Sequence, residues 1–282
     1  RLSSGGYMGA GVIATENTLN VEGGQETDVT VAVCAKAALD EALLAYFVGT
    51  AKIPDADAVE QHAKDLTEFE RLGEAQGWLS KSELLHREPP APEQSHSTAA
   101  SVFGHSYEQI HYESGFVPNA ELPGAKDWLT HRDNAGSIAW VKRQPVAGRP
   151  WLLCIHGYRM GLPWMDFSLF PIGRLHYKYG LNLMLPVLPL HGLRRIGLRS
   201  GDAYLEGDPT VLFHAQTQAL WDLRRAVKWI RSHAPQARIG VLGYSRSVYN
   251  TACLSHYQAG QDLGFARTPA VGFTSLVWGS FP

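Results

Sequence analysis

The segment RIGVLGYSRS, residues 238–247, joins a short apolar run to a glycine-containing turn, and a helical pattern continues to about Tyr257. Further apolar runs of strand length lie at residues 137–142, 151–155, 182–187 and 270–273. The run WLLCI at 151–155 is apolar throughout, which is typical of a strand buried on both faces of a parallel sheet. Residues 210–233 carry an apolar stripe at helical spacing, formed by Leu220, Leu223, Val227 and Ile230. Strands that alternate with helices predict an α/β fold with a mostly parallel sheet.

The first part of the chain has a different character. Helical patterns cover residues 28–48 and 55–72, whereas EPPAPEQSHSTAAS at 88–101 is typical of a linker or an exposed loop. The glycines near the start are not followed by the lysine of a phosphate-binding loop. We therefore expect a largely helical and loop extension at 1–130, followed by the α/β domain at 131–282.

Composition excludes several classes of protein. Hydrophobic residues make up 45% of the 282 residues, which is enough for a sizeable core and argues against a disordered chain or a coiled coil. The net charge of −2 gives no basic excess for nucleic acid, and no apolar run approaches the roughly 18 residues of a membrane span. The three cysteines and the scattered histidines lack metal-site spacing. The sequence thus predicts no cofactor, no metal, no nucleic-acid or membrane partner, and a reducing, cytoplasmic location.

Ser245 is the candidate nucleophile. It follows the strand at 238–242 within GYSRS, where a strand, a sharp turn and a helix form a nucleophile elbow. Gly243 supplies the small residue that a tight turn needs, but Ser247 occupies the place where the full GxSxG motif has glycine. The alternative is that Ser245 simply caps the following helix.

A second candidate element is the pair His156-Gly157, which ends the strand at 151–155 and resembles the oxyanion loop of α/β-hydrolases. In that interpretation the backbone N–H groups of about Tyr158 and of Arg246 form an oxyanion hole. The alternative is an ordinary turn that needs glycine, and His156 itself is expected to be structural rather than a base.

Residues 137–282 resemble the N-terminal half of an α/β-hydrolase domain of the dienelactone hydrolase or esterase type. The motifs that carry the resemblance are CIHGYRMG (154–161), LPVLPLHGLRR (185–195), SGDAYLEGD (200–208), WDLRRAVKWI (221–230) and LGYSRSVYNTA (242–252). The resemblance implies an incomplete α/β-hydrolase fold and a small-molecule acyl substrate. It also implies that His156, Gly157 and His191 lie at the pocket. Oligomeric state stays open.

The acid and base of a catalytic triad are not evident. After Ser245 the chain contains only Asp262 and His256, in the reverse of the usual order, and His256 is expected at the surface. His191 is the histidine in this chain best placed to act as a base, but its loop is expected to shape the pocket instead. The acids of the 200–208 loop lack the spacing of a calcium loop and are expected to be solvated; they are Asp202, Glu206 and Asp208.

Two functions remain open at this point. The first is a serine hydrolase acting on an ester or related acyl bond through Ser245. The chain is then expected to be a fragment that stops before its acid and base, and to be weak or inactive. The second is a non-catalytic α/β-hydrolase-like binding or interaction protein, which Ser247 and the missing acid and base favour.

Overall fold

The computed structural model describes residues 31–49, 54–205, 208–244, 247–258, 266–267 and 274–278. Contacts along the backbone divide the chain into two units, Arg1–Ile53 and Pro54–Pro282. The described part of the first unit is a helix, α1 (Val31–Gly49), which covers most of the range where the sequence predicts one.

The second unit combines helices and strands. Its helices are α2 (Ala56–Ala75), α3 (Ala125–Trp128), α4 (Pro163–Leu169), α5 (Pro209–His233) and α6 (Ser247–Gln258). Its strands are β1 (His96–Val102), β2 (His105–Glu113), β3 (Gly136–Lys142), β4 (Trp151–Ile155), β5 (Asn182–Val187), β6 (Ile239–Tyr244), β7 (Ala266–Arg267) and β8 (Thr274–Trp278). Short helical turns lie at Ser82–Leu84, Arg132–Asn134, Gly173–Lys178 and Gly192–Arg194. The strand predicted at 270–273 lies outside the described residues.

Side-chain caps explain where the two long helices of this unit begin. The Asp55 carboxylate accepts a hydrogen bond from the Ala58 N–H at 2.8 Å, ahead of α2. The Asp208 carboxylate accepts one from the Thr210 N–H at 2.8 Å, and Pro209 occupies the first position of α5. Both features satisfy or remove donors that a helix start leaves free. The helices predicted at 55–72 and 210–233 are confirmed.

The strands form one mixed sheet in the order β1-β2-β3-β5-β4-β6-β8-β7. At its centre β5, β4 and β6 are parallel, with Leu153 opposite both Met184 and Val241. The other pairs in the described sheet are antiparallel. The α/β class is therefore confirmed, but parallel pairing is limited to the centre. The β4–β5 and β5–β6 connections are helical crossovers, which join parallel strands, whereas the two-residue turn Phe103-Gly104 joins β1 to β2 as a hairpin.

This topology fixes where a site can form. In the sheet, β4 has β5 as its neighbour on one side and β6 as its neighbour on the other side. The chain therefore reverses its direction of strand addition after β5. Ligands of open α/β sheets bind at such a reversal, outside the carboxyl ends of the strands. The carboxyl ends of β4 and β6 therefore define the expected crevice.

Both faces of the central strands are buried. Leu152 and Leu153 alternate between two core clusters, and each is 0% exposed. The predicted stripe of α5 packs into the same cluster as Leu153, which confirms it as the core face of the helix. Among the cysteines, Cys154 is buried, whereas Cys34 is exposed. None of the described helices combines the length and apolar character that crossing a bilayer requires.

The boundary expected near residue 130 does not divide the sheet. β1 and β2 come from the predicted extension, yet Ile110 of β2 pairs with Ala139 of β3. β1 begins at His96, inside the stretch predicted to be a linker. The first four residues of β1 are exposed, so this edge strand lacks the apolar alternation that reveals a half-buried strand.

Candidate active site

The predicted nucleophile turn lies between β6, which ends at Tyr244, and α6, which begins at Ser247. The residues between them, Ser245 and Arg246, lie outside the described residues, so their roles remain predictions. The flanking elements are described, and they provide the strand and the helix that a nucleophile elbow needs. Gly243, two residues before Ser245, pairs in parallel with Ile155 of β4.

His156 follows directly after β4 and is 0% exposed. Its Nδ1 donates to the Gly157 carbonyl at 2.8 Å, and its Nε2 accepts from the Leu188 N–H at 3.0 Å. These two bonds define a neutral ring, because one nitrogen donates while the other accepts. Burial lowers the pKa of His156 to about 4, which keeps the ring neutral at physiological pH. The side chain therefore links the end of β4 to the end of β5.

The loop after His156 is held in an unusual backbone conformation. Arg159 has φ +68° and Gly161 has φ +85°, in the left-handed region. A Cβ on Gly161 would stand 3.0 Å from His156 Nε2 and 3.1 Å from His191 Cβ, so the position has no room for a side chain. The Tyr158 ring lies 6.5 Å from the Tyr204 ring and 6.3 Å from the His191 ring. The role of Tyr158 as a backbone donor remains a prediction.

Asp166, on α4, holds the far end of this loop. Its carboxylate accepts from the Gly161 N–H at 2.9 Å and from the Trp140 indole N–H at 3.1 Å. The residue is 0% exposed, and burial raises its pKa to about 7 although both hydrogen bonds oppose that shift. Asp166 gives no distinctive signal in the sequence, because one acid near a helix start resembles an ordinary helix-capping residue.

His191 lies in the loop after β5 and is 1% exposed. Its Nδ1 donates to the Pro189 carbonyl at 2.9 Å, which leaves Nε2 as an acceptor. That Nε2 has no hydrogen-bond partner among the described residues. Burial, with a smaller contribution from His156, lowers the pKa of His191 well below its usual value. The His156 and His191 rings are 5.0 Å apart, so the structure brings these two predicted pocket residues together.

The loops after β4 and β5 are joined by direct bonds. Ser200 accepts from the Gly192 N–H at 2.8 Å and donates to the Met160 carbonyl. Asp202 pairs with the guanidinium of Arg159 and accepts from the Arg199 N–H at 2.8 Å. The expectation of a solvated loop is therefore wrong for Asp202, since its partner comes from a loop distant in sequence. It is also wrong for Asp208, which caps α5. Glu206 lies outside the described residues.

A buried ion pair anchors the β5 loop to α5. Arg194 Nη2 lies 2.7 Å from Asp222 Oδ2, and the two side chains are 0% and 6% exposed. Arg194 also donates to the carbonyl oxygens of Val187 and Asn134, at 2.8 and 3.1 Å. Asp222 accepts from the Ser114 hydroxyl at 2.5 Å. This pair is not evident from the sequence, because both residues lie in charged stretches that are typical of a solvent-exposed surface.

Among the residues after Ser245 that the structure describes, there is no acid and histidine arranged as the acid and base of a catalytic triad. His256 is exposed on α6, and its Nε2 lies 3.9 Å from a Glu83 carboxylate oxygen, also exposed. It therefore lies at the surface, as the sequence predicts. Asp262 lies outside the described residues.

A cavity of about 400 Å³ opens elsewhere in the second unit. It lies between α5 and the segments at 76–87 and 116–122. This cavity is separate from the predicted active site. None of the predicted active-site residues that the structure describes lines the cavity; they are His156, Gly157, Tyr158 and His191.

Comparison with known proteins identifies two relatives by sequence. Both are uncharacterized proteins of Mycobacterium tuberculosis, from the strains CDC 1551 and H37Rv, and they are 30% and 29% identical over 248 residues. The aligned region covers 88% of this chain but only 60% of each relative, so the chain spans about three fifths of their length. No family model matches the sequence.

Solved structures with partial similarity include two esterases. A proposed acetyl xylan esterase of Bacteroides fragilis has a TM-score of 0.43 at 17% identity, covering 64% of this chain and 48% of that one. The thermostable carboxylesterase EstE1, from a metagenomic library, has a TM-score of 0.27 at 17% identity, covering 68% and 50%.

Proposed function

We propose that this chain carries the nucleophile and the oxyanion loop of a serine hydrolase with an α/β-hydrolase fold, acting on an ester or related acyl bond. One observation carries the proposal: β4 and β6 are parallel neighbours, so the carboxyl ends of both strands lie at the same edge of the sheet. In the sequence, His156-Gly157 follows the end of β4 and Ser245 follows the end of β6. A nucleophile and its oxyanion donors must lie close together to act on one carbonyl group.

In the proposed reaction the Ser245 hydroxyl oxygen attacks the carbonyl carbon of the ester. The carbonyl π electrons move to oxygen, and the backbone N–H groups of Arg246 and Tyr158 stabilise that oxyanion. α6 begins just after the serine, so its positive N-terminal end adds to the stabilisation. The oxyanion then collapses, the bond from the carbonyl carbon to the ester oxygen breaks, and the alcohol leaves with the proton that Ser245 gives up. Water hydrolyses the resulting acyl-enzyme, which releases the carboxylic acid and restores the Ser245 hydroxyl.

Proton transfer from Ser245 is the step for which the described part of this chain offers no suitably oriented base. A base histidine is normally oriented by a carboxylate on its Nδ1. His156 and His191 instead direct Nδ1 to the backbone carbonyl oxygens of Gly157 and Pro189. We therefore expect slow turnover from this chain, because a serine hydroxyl without a positioned base is a poor nucleophile.

Labelling with a fluorophosphonate probe tests the proposal, because the probe forms a stable bond only with an activated serine. We expect one labelled site in a longer form of the length seen in the relatives, and weak labelling of this chain. The label should be lost in Ser245→Ala and retained in Ser255→Ala, which removes a hydroxyl from α6. Circular dichroism should show both variants folded. Labelling that survives Ser245→Ala would overturn the assignment of the nucleophile.

A non-catalytic binding protein is the second candidate. The backbone-anchored Nδ1 atoms of His156 and His191 favour it, as does the serine at position 247 in place of glycine. It predicts that the folded chain, and a longer form of the length seen in the relatives, both fail to react with the probe. Labelling of the longer form at Ser245 would exclude this function.

A further inference from the structure

The cavity beside α5 has walls of a distinct composition. Aromatic rings line it from each of its three segments: Trp78, Phe116, and Phe213 with Trp221 on α5. Trp221 is fixed, since its indole N–H donates to the Ser114 carbonyl at 2.7 Å and its ring lies 6.1 Å from Phe116, edge to face. Aromatic rings held in place favour a flat aromatic partner, which gains stacking contacts without ordering the wall.

The charges around this cavity are unbalanced. Arg87 and Arg224 line it, whereas no aspartate or glutamate among the described residues does. Arg224 and Lys228 share a single carboxylate, that of Glu88. Arg87 is exposed and forms no ion pair with a described residue. The mouth of the cavity therefore carries a positive excess.

Neighbouring groups show the effect of this excess. The pKa of Lys228 is lowered, first by burial and then by the charges of Arg224 and Arg225. The pKa of His86, which also lines the cavity, is lowered to about 4 by burial and by Arg224. Burial is the larger cause of each shift and the arginine charges add to it, so a further positive charge is unfavourable at these positions.

We propose that this cavity is a binding site for an aromatic carboxylate, with the ring between the aromatic walls and the carboxylate at Arg87. The volume of about 400 Å³ lies within the range of small-molecule sites. The guanidinium of Arg87 suits a carboxylate because it donates two parallel hydrogen bonds. The inference does not depend on Ser245 and stands independently of the proposed hydrolase.

Isothermal titration calorimetry with 2-naphthoate tests the site, and 2-naphthamide serves as the uncharged analogue. We expect 2-naphthoate to bind with one-to-one stoichiometry and about tenfold more tightly than the amide, as for a charge-assisted hydrogen bond. Arg87→Gln should remove that preference. Arg132→Gln, which changes an exposed arginine that does not line the cavity, should retain it.

A variant that fills the cavity shows whether 2-naphthoate binds in the cavity or at another place on the protein. Thr217 lines the cavity and is half-buried on α5, so Thr217→Trp adds bulk without removing a core side chain. We expect it to abolish 2-naphthoate binding while thermal unfolding remains cooperative. Undiminished binding to folded Thr217→Trp, equal affinity for the amide, or no binding to the unmodified chain would each overturn the proposal.

Discussion

Two regions of the molecule contain the same kinds of residue in different surroundings. The first is the set of loops at the carboxyl edge of the sheet. The second consists of the outer strands β1 to β3 together with the β3–β4 turn. Each region has an arginine–carboxylate pair: buried Arg194–Asp222 at the edge, and Arg143–Glu108 on the outer strands with side chains 38% and 34% exposed. Each also has a left-handed glycine, Gly161 at the edge and Gly148 in the turn. We therefore expect burial, rather than residue type, to decide how much each residue contributes to the stability of the fold.

The largest contrast is expected between the two ion pairs. Asp222→Ala leaves Arg194 charged and buried, and removing one partner of a buried pair typically costs about 3–5 kcal/mol. Glu108→Ala breaks a partly exposed pair, for which we expect a cost near the surface-pair range of about 0–1 kcal/mol. Urea unfolding of both variants measures the difference. Equal losses would show that the Arg194 pair does not anchor the β5 loop.

Asp166 is expected to make stability depend on pH. Its pKa of about 7 in the folded chain lies above that of the unfolded chain, so the folded state holds the proton more tightly. The stability from the protonated carboxyl is complete below about pH 4 and is lost as pH rises through about 7.

Asp166→Asn removes this dependence. Between pH 5 and 8 the unmodified chain should lose about 2–3 kcal/mol more stability than the variant. Buried histidines with lowered pKa values, such as His156, act in the opposite direction in both proteins and cancel in the comparison. Urea midpoints at the two pH values give the result, with exposed Asp127→Asn as the control. Parallel pH profiles for the Asp166 variant and the unmodified chain would contradict the assignment.

The smallest contrast concerns the two glycines. Gly161→Ala meets both a left-handed backbone and the nearby His156 and His191 side chains, so a loss of about 1–3 kcal/mol is expected. Gly148→Ala shares the positive φ, at +77°, but its Cβ has nothing within 4 Å. It should cost only about 1 kcal/mol, the strain of the left-handed backbone. Differential scanning calorimetry compares them, and equal shifts in Tm would show that the packing around Gly161 yields.

Much of the central fold was predictable from local pattern. The β4 range, 151–155, agrees at both ends, and the apolar stripe of α5 packs in the core as predicted. β1 was not predictable, because an exposed edge strand of polar and small residues has no apolar alternation. The antiparallel pairing of β3 with β5 was missed too, since strand direction depends on the path of the connection and not on the strand itself.

The candidate site was predictable only in part. His156 and His191 were singled out from their places after strands, and the structure brings their rings to 5.0 Å. Asp166 and the Arg194–Asp222 pair were missed, because a buried charge and an exposed charge look identical in sequence. Ser245 stays a prediction, supported by the strand and the helix on either side of it.

The sequence by itself determined the central strands, the long helix and the residues that follow each strand, because side-chain periodicity reflects local backbone geometry. Tertiary structure alone decided which charges are buried and which groups they meet. Ser114 and Asp222, for example, are 108 residues apart in the chain yet 2.5 Å apart in space. Such contacts depend on how the strands are ordered in the sheet, and local periodicity carries no information about that order.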